Sequence, residues 1–200
     1  MGRGPGAHHE QRRAEIADAV LAVVAERGLA AVSLTEVAAR AGVSPGRVQH
    51  YFPAKRQLLE AAFERGNELS AARIRAKVGG DPAAAEPRLV LATVLGELIP
   101  YDAATEAHIR VRQSFQSYGF AEEGIAARLR ALYADLHRQM ADLIREDQRA
   151  GRVPATRDPY QAALVLVALA EGLAAYVLTG VASAATAREQ VLEAVAALYR

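Results

Sequence analysis

The sequence predicts an all-α fold made of a small N-terminal helical domain and a larger C-terminal helical bundle. Alanine is abundant, apolar residues recur every three or four positions, and the alternating pattern of β-strands is missing. Hydrophobic residues make up 52% and charged residues 24% of the 200 residues, a composition typical of folded globular proteins. A chain of this length can bury one large core or two smaller ones.

Helical periodicity and helix-ending residues predict where each helix lies. Ile16, Val20 and Val24 share one face of the first helix, and Gly28 follows as a C-cap. The run Gly-Gly-Asp-Pro at 79–82 is the clearest break, and we expect the domain boundary there. This predicts a flexible arm over 1–11, an N-terminal domain over 12–80 and a C-terminal domain over 81–200. The predicted helices span residues 12–27, 33–41, 45–52, 55–78, 86–99, 103–118, 122–150, 159–179 and 186–199.

The most informative stretch, residues 33–52, has the pattern of a helix-turn-helix. Ser33 and Glu36 have the spacing of a capping box, in which the serine oxygen and the glutamate side chain each accept a backbone N–H at the start of a helix. Gly42 stands where the turn requires a positive φ. Ser44 is a good N-cap for the second helix, and Pro45 suits its first position. The inward apolar positions of this three-helix domain include Leu34, Val37, Ala38, Ala41, Val43 and Val48.

The second helix of this motif carries side chains that suit DNA. Arg47 can bind guanine edges or phosphate, Gln49 can pair with adenine, and His50 and Tyr51 can reach phosphates or bases. Any tight helical hairpin would use a glycine and a cap, but few would place these polar groups on their second helix. Residues 1–80 also carry 12 Lys+Arg against 8 Asp+Glu, a modest basic excess that fits phosphate binding and equally fits a solvated surface.

The run LTEVAARAGVSPGRVQHYFPAKRQLL (residues 34–59) resembles the N-terminal domain of the TetR (tetracycline-repressor) family, and the resemblance extends tightly over residues 12–65. It implies a homodimer that places two recognition helices in successive major grooves of a near-palindromic double-stranded DNA operator. It also implies a C-terminal pocket for an unidentified small-molecule effector and repression relieved by that effector. The positions it assigns to DNA contacts are Thr35, Ser44, Pro45, Gly46, Arg47, Gln49, His50, Tyr51 and Lys55.

Two details refine the resemblance. Many members of the family have an aromatic residue, which contacts phosphate, where this chain has Gln49. At this position we therefore interpret Gln49 as a candidate for a base contact. The ending His50-Tyr51-Phe52 resembles the branch that contains the choline-responsive repressor of betaine synthesis. The segments Ile99-Pro-Tyr-Asp and Ala170-Glu-Gly-Leu resemble the C-terminal domain of the same branch.

The N-terminal arm has two interpretations. It is either a disordered tail or a segment that reaches the adjacent minor groove with Arg3, His8, His9, Arg12 and Arg13. Deleting residues 2–11 tests the second, because operator binding should then weaken and depend less on salt. The His8-His9 pair is too short and isolated to indicate a metal site, and we expect no metal and no cofactor.

Polar and aromatic residues of the C-terminal domain are candidates for the effector pocket. His108 and Arg112 share a helical face, as do Tyr133 and His137. An apolar cavity with a few orienting polar groups is one interpretation, and ordinary partly exposed helix residues are the other. The candidate pocket residues are His108, Arg112, Gln116, Tyr133, His137 and Tyr176, with Tyr118 and Met140 as further candidates.

The apolar run 162–170 predicts either an intramolecular core helix or a helix in a dimer interface. A membrane-spanning helix needs about 20 apolar residues, and Glu171 interrupts the run, so we predict that this helix does not span a membrane. Small residues would let this helix approach its two-fold mate closely, and the last helix would join the interface. The candidate interface residues are Ala168, Gly172, Ala175 and Val195.

No catalytic motif is visible, so the sequence predicts a regulator and not an enzyme. The alternative is a small-molecule-binding helical protein or a helical-bundle enzyme in which the helix-turn-helix is only structural. Cysteine is absent, which fits a reducing compartment, and the polar N-terminus does not resemble a secretory signal. We therefore expect a cytoplasmic protein.

Overall fold

The structure is a computed structural model that describes residues 5–200, with side chains from His8 onward; Arg3 of the predicted arm lies outside the described residues. The described residues contain α-helices, two short 3₁₀ turns and no β-strand. The α-helices are α1 (Pro5–Arg27), α2 (Leu34–Ala41), α3 (Pro45–Tyr51), α4 (Lys55–Lys77), α5 (Pro87–Glu97), α6 (Ala103–Gly119), α7 (Glu123–Arg149), α8 (Pro159–Leu178) and α9 (Ala184–Ala197). The all-α prediction is confirmed.

The start of the first helix differs from the sequence prediction. Helix α1 begins at Pro5 and not at Arg12, so residues 5–11 are helical and do not form a flexible arm. Proline is favoured in the first turn of a helix, and ion pairs at helical spacing stabilise the turns that follow. One such pair joins Arg12 to Glu15, with an N–O distance of 2.6 Å.

The chain divides into two compact units. The first consists of the described part of Met1–Leu69 together with Asp102–Ser117, and the second of Ser70–Tyr101 together with Tyr118–Arg200. This division differs from the boundary predicted at 79–82, because most of α6 packs with the N-terminal helices. The glycine and proline residues at 79–82 end helix α4 without separating the units.

Within the first unit, α6 lies close against α4. The rings of Phe63 and Phe115 stack with their centroids 4.9 Å apart. The imidazole of His108 shares a hydrogen bond of 3.1 Å with the side-chain oxygen of Asn67. At Gly66 an added Cβ would lie only 2.1 Å from Cδ2 of His108, so this close approach requires glycine.

Within the second unit, two buried carboxylates join helices. Glu97 of α5 is 2% exposed and accepts hydrogen bonds from Arg73 and Lys77 of α4 and from the hydroxyl of Tyr101. Asp147 of α7 is fully buried. It pairs with Arg152 at 2.7 Å and accepts a hydrogen bond from the hydroxyl of Tyr199 near the C-terminus.

Helix α8 is strongly apolar on both of its faces. Its buried face consists of Ala163, Leu166, Val167, Ala170 and Ala174. Its mean hydropathy reaches 1.9 over 18 residues, and only 28% of that window is buried, so by length and composition alone the helix could cross a membrane. The helix is therefore longer than the apolar run 162–170 predicts, and the charge of Glu171 is the feature that speaks against a membrane span.

Candidate nucleic-acid interface

The turn between α2 and α3 is built by local interactions. The hydroxyl of Ser33 accepts a hydrogen bond of 3.1 Å from the backbone N–H of Glu36 and so caps α2. Gly42 ends α2 in the left-handed region, with φ 64° and ψ 34°. The next N–H, that of Val43, donates to the carbonyl of Ala38 at 3.0 Å. These contacts confirm the predicted cap and turn.

The second half of the predicted capping box is absent from the described residues. The carboxylate of Glu36 contacts the guanidinium of Arg27, at the end of α1, and not the backbone N–H of Ser33. The guanidinium carries a full positive charge, which the backbone N–H lacks, and this favours the pairing of Glu36 with Arg27. Glu36 therefore ties α2 to α1.

Helix α3 has one buried residue and a polar exposed face. Ser44 caps the helix by accepting a hydrogen bond of 3.2 Å from the N–H of Arg47. Val48 is fully buried and anchors the helix to the core of the first unit. Because Val48 faces inward, the polar side chains around it are directed to solvent. This arrangement leaves α3 free to enter a groove of DNA.

The residues predicted to contact DNA all reach the surface. Thr35 at the start of α2, the α3 residues and Lys55 at the start of α4 are exposed, and Tyr51 is half-buried. We call this set the recognition surface: Thr35, Ser44, Pro45, Gly46, Arg47, Gln49, His50, Tyr51 and Lys55.

An arginine of α1 holds the end of α3 in place. The guanidinium of Arg13 donates a hydrogen bond of 3.2 Å to the carbonyl of Tyr51 and lies 4.5 Å from the centroid of the Phe52 ring. The cation thus satisfies a helix-terminal carbonyl and gains a cation–π contact. Sequence analysis assigned Arg13 to the arm, and only the packing of α1 on α3 reveals that it positions the recognition surface.

The candidate pocket residues lie in different units. His108, Arg112 and Gln116 belong to α6 in the first unit, where His108 and Arg112 are buried. Tyr118, Tyr133, His137, Met140 and Tyr176 belong to the second unit.

In the second unit, the structure gathers an aromatic cluster around one carboxylate. The hydroxyl of Tyr133 donates to the carboxylate of Glu171, with oxygen–oxygen distances of 2.6 and 2.7 Å. The ring of His137 lies 6.0 Å from that of Tyr133 and 5.9 Å from that of Tyr160. Burial lowers the pKa of His137 below its usual value, against the opposing effect of Glu171, so the imidazole is neutral at pH 7.

Sequence analysis missed two members of this cluster, Tyr160 and Glu171. The sequence signal for Glu171 is that it is the single charge within an otherwise apolar helix. Exposed Tyr176, predicted to line the pocket, is not among the aromatic contacts of the cluster.

Three of the four candidate interface residues reach the surface. Ala168 and Gly172 are exposed on α8, and Ala175 is partly exposed. Val195 needs correction, because it is only 2% exposed. Its position on α9 continues the inward stripe of Ala187 and Val191, so it belongs to the core of the second unit.

A capped helix with an exposed polar face, held by a left-handed glycine turn, defines a helix-turn-helix DNA-binding regulator. Comparison with known proteins agrees. Residues 16–62 match the model of the tetR family of bacterial regulatory proteins, and residues 87–200 match that of the BetI-type transcriptional repressor C-terminal domain. The chain therefore belongs to the TetR family, with a C-terminal domain of the BetI type, and it is a transcriptional regulator and not an enzyme.

Individual relatives support this assignment. The regulator PksA of Bacillus subtilis is 30% identical over 70% of this chain and 74% of its own length. The regulator BetI of Rhizobium meliloti is 35% identical over 64% of this chain and 53% of its own length.

Solved structures agree as well. A TetR-family regulator from Rhodococcus sp. superposes with a TM-score of 0.77 at 28% identity, covering 96% of this chain and all of that one. A regulator from Saccharomonospora viridis, solved in complex with choline, has the same fold, with a TM-score of 0.77 at 23% identity over 92% of this chain and 95% of that one.

Proposed function

We propose that the protein is a repressor that binds a near-palindromic operator as a homodimer, with the recognition surface in the major groove. The observation that carries this proposal is the division of α3 into a buried Val48 and an exposed face that includes Arg47, Gln49 and His50. Arg47 and Gln49 supply groups that read base edges, whereas Thr35 and Lys55 stand at helix starts, where phosphates bind. Operator DNA lies in the cytoplasm of a bacterium, so the protein would act there.

The test is loss of operator binding on removal of two exposed cations. The tightest duplex selected by the protein from a random-sequence library serves as the probe in a gel shift. Arg47→Ala with Lys55→Ala should weaken binding by at least about a hundred-fold, because each lost contact to a base or phosphate costs about 1–3 kcal/mol. The control is Arg138→Ala, an exposed cation of α7. Retained binding by the double variant would contradict the assignment.

We further propose that the exposed face of α8 forms the dimer interface. Val165 is 63% exposed, and Leu164, Ala168, Gly172 and Tyr176 lie on the same side of the helix. Exposure of an apolar helix face to water is unfavourable. The same face of a second copy, related by a two-fold axis, would cover it. Leu192 of α9 is also exposed and extends the apolar patch.

The effector proposal concerns the cluster of Tyr133, His137, Tyr160 and Glu171. We propose that it binds a small organic cation with a quaternary ammonium group. With His137 neutral, Glu171 leaves the cluster negative, and aromatic rings beside a carboxylate attract such a cation through charge and cation–π contacts. The choline found in the Saccharomonospora viridis regulator supports this ligand class.

Calorimetry with choline chloride tests this site. We expect binding by the wild type and at least about ten-fold weaker binding by Glu171→Gln, since loss of one partner of a charge pair at a binding site costs about 2 kcal/mol or more. The control is Glu123→Gln, an exposed carboxylate of α7. The neutral isostere 3,3-dimethylbutan-1-ol should bind much more weakly than choline. Equal binding of the two ligands, or an unchanged affinity in Glu171→Gln, would contradict the proposal.

A further inference from the structure

A cleft between the beginning of α1 and the end of α3 joins part of the recognition surface to residues of α1 that have no role in the function proposed so far. It is lined by two arginines, three histidines and a tyrosine, with no carboxylate among its lining residues, and has a volume of about 490 Å³. The residues that line it are His8, His9, Arg12, Arg47, His50 and Tyr51.

We propose that this cleft holds a phosphodiester of the operator backbone and takes up protons when it does so. The proposal rests on the proposed operator binding and adds to it a second contact and a dependence on pH. It replaces the predicted minor-groove arm, since α1 begins at Pro5 and places its first turns beside α3.

One tyrosine holds two of the histidines at the cleft. The ring of His9 lies 4.9 Å from that of Tyr51, and the ring of His50 lies 5.5 Å from it in an edge-to-face arrangement. Because Arg13 fixes the carbonyl of Tyr51, the tyrosine is itself anchored. The imidazoles of His9 on α1 and His50 on α3 are therefore held at one site by their contacts with the same ring.

The charges around the cleft determine its preference for an anion. Two carboxylates of α1 are close: Glu10 lies 3.6 Å from Nδ1 of His9, and Glu15 pairs with Arg12 at 2.6 Å. The pairing with Glu15 offsets the charge of Arg12. Helix α3 contributes Arg47 and His50 to the cleft. This helix contains no acidic residue that would offset their charge. Further positive charge must come from protonation of the histidines.

Histidine is the side chain whose charge most readily changes in the physiological pH range. An ordinary imidazole titrates near pH 6.5, whereas arginine and the DNA phosphate keep their charges between pH 6 and 8. A phosphate in the cleft favours the imidazolium, so DNA binding draws protons from solution. By linkage, operator affinity then rises as the pH falls from 8 to 6.

The experiment measures operator affinity by fluorescence anisotropy at pH 6.0, 7.0 and 8.0 at constant ionic strength, with the selected duplex as the probe. The full chain is compared with His8→Gln/His9→Gln, which keeps side-chain hydrogen bonding but cannot gain charge. Arg138→Gln, in the other unit, is the matched control for a surface change. The other histidines outside the cleft, His108 and His137, are buried. Thermal unfolding at each pH confirms that all three proteins are folded.

We expect wild-type affinity to rise at least about ten-fold from pH 8.0 to 6.0, since each proton taken up on binding changes affinity by up to about ten-fold per pH unit. The double variant should lose most of this rise, and its salt dependence at pH 6.0 should be shallower, as fewer phosphates are neutralised. Arg138→Gln should behave as wild type.

Wild-type binding that does not change with pH would overturn the proposal, and so would a double variant with the pH dependence of the wild type. In both cases the duplex is still bound, so the proposed function stands. Absence of binding to any selected duplex at every pH would instead refute the proposed function.

Discussion

Replacing Glu97 by glutamine tests the account of how α4 and α5 are joined. The carboxylate is 2% exposed and accepts hydrogen bonds from Nε of Arg73 at 2.7 Å, Nζ of Lys77 at 2.5 Å and the hydroxyl of Tyr101 at 2.7 Å. Lys77 also lies 4.4 Å from the centroid of the Tyr101 ring. One buried carboxylate therefore binds three side chains.

The expected cost follows from these contacts. Removing one partner of a buried ion pair typically costs about 3–5 kcal/mol, because the remaining charge is left uncompensated. Here the side chains of Arg73 and Lys77 are 28% and 43% exposed, so water partly replaces the lost carboxylate. We expect Glu97→Gln to lower the free energy of unfolding by about 2–3 kcal/mol, at the lower end of that range or below it.

Urea denaturation followed by circular dichroism at pH 7 measures this loss. Glu123→Gln, which breaks an exposed ion pair with Arg130, is the matched control and should cost less than about 1 kcal/mol. An unfolding free energy for Glu97→Gln within about 0.5 kcal/mol of that of the control, the size seen for ordinary surface substitutions, would show that Glu97 does not hold α4 and α5 together.

The stabilisation by Glu97 should depend on pH. Burial raises the pKa of Glu97, but hydrogen bonds from Lys77, Tyr101 and Arg73 outweigh burial and hold the pKa below its usual value. The stabilisation is therefore complete above the pKa of the unfolded chain and is lost as the pH falls through the lowered pKa of the folded state. The gap in stability between wild type and Glu97→Gln should narrow on acidification below about pH 4, near the ordinary titration of glutamate.

Two further predictions concern packing. Gly66→Ala should lower the melting temperature by at least about 2 °C through the clash with His108, since overpacking typically costs about 1–3 kcal/mol. The control is Gly96→Ala, whose added methyl group meets no neighbour within 4 Å and should not destabilise the protein. Equal melting temperatures of the two variants would contradict this prediction. Val165→Glu should convert the proposed dimer to a monomer in sedimentation velocity, because it places a charge within the apolar face of α8. Val181→Glu, which changes an exposed valine beyond the end of α8, should not. An unchanged sedimentation coefficient for Val165→Glu would contradict the proposal that α8 forms the interface.

Sequence reasoning succeeded where the structure depends on neighbours along the chain. The cap at Ser33, the left-handed Gly42 and the cap at Ser44 form within a few residues, so local chemistry determines them. The bounds of most helices followed from the same short-range signals. The exposure of the recognition surface followed in turn, because burial of Val48 fixes which side of α3 faces water.

Sequence reasoning failed where the structure depends on distant contacts. The assignment of α6 to the first unit depends on contacts such as that between Gly66 and His108, and no local pattern reports them. Val195 was placed on the wrong face because periodicity identifies the faces of an apolar helix without saying which one is covered. The same limit hid Glu171, whose partner Tyr133 lies on another helix.

Selection of DNA from a random-sequence library tests whether α3 reads an operator. Purified protein is mixed with random duplexes, and the bound fraction is sequenced after several rounds. We expect an enriched inverted repeat, with half-site centres one helical turn of about 10 base pairs, or a multiple of it, apart. Enrichment should disappear in the Arg47→Ala/Lys55→Ala variant. Selection without any enriched motif, or the same motif selected by that variant, would contradict the claim that α3 reads an operator.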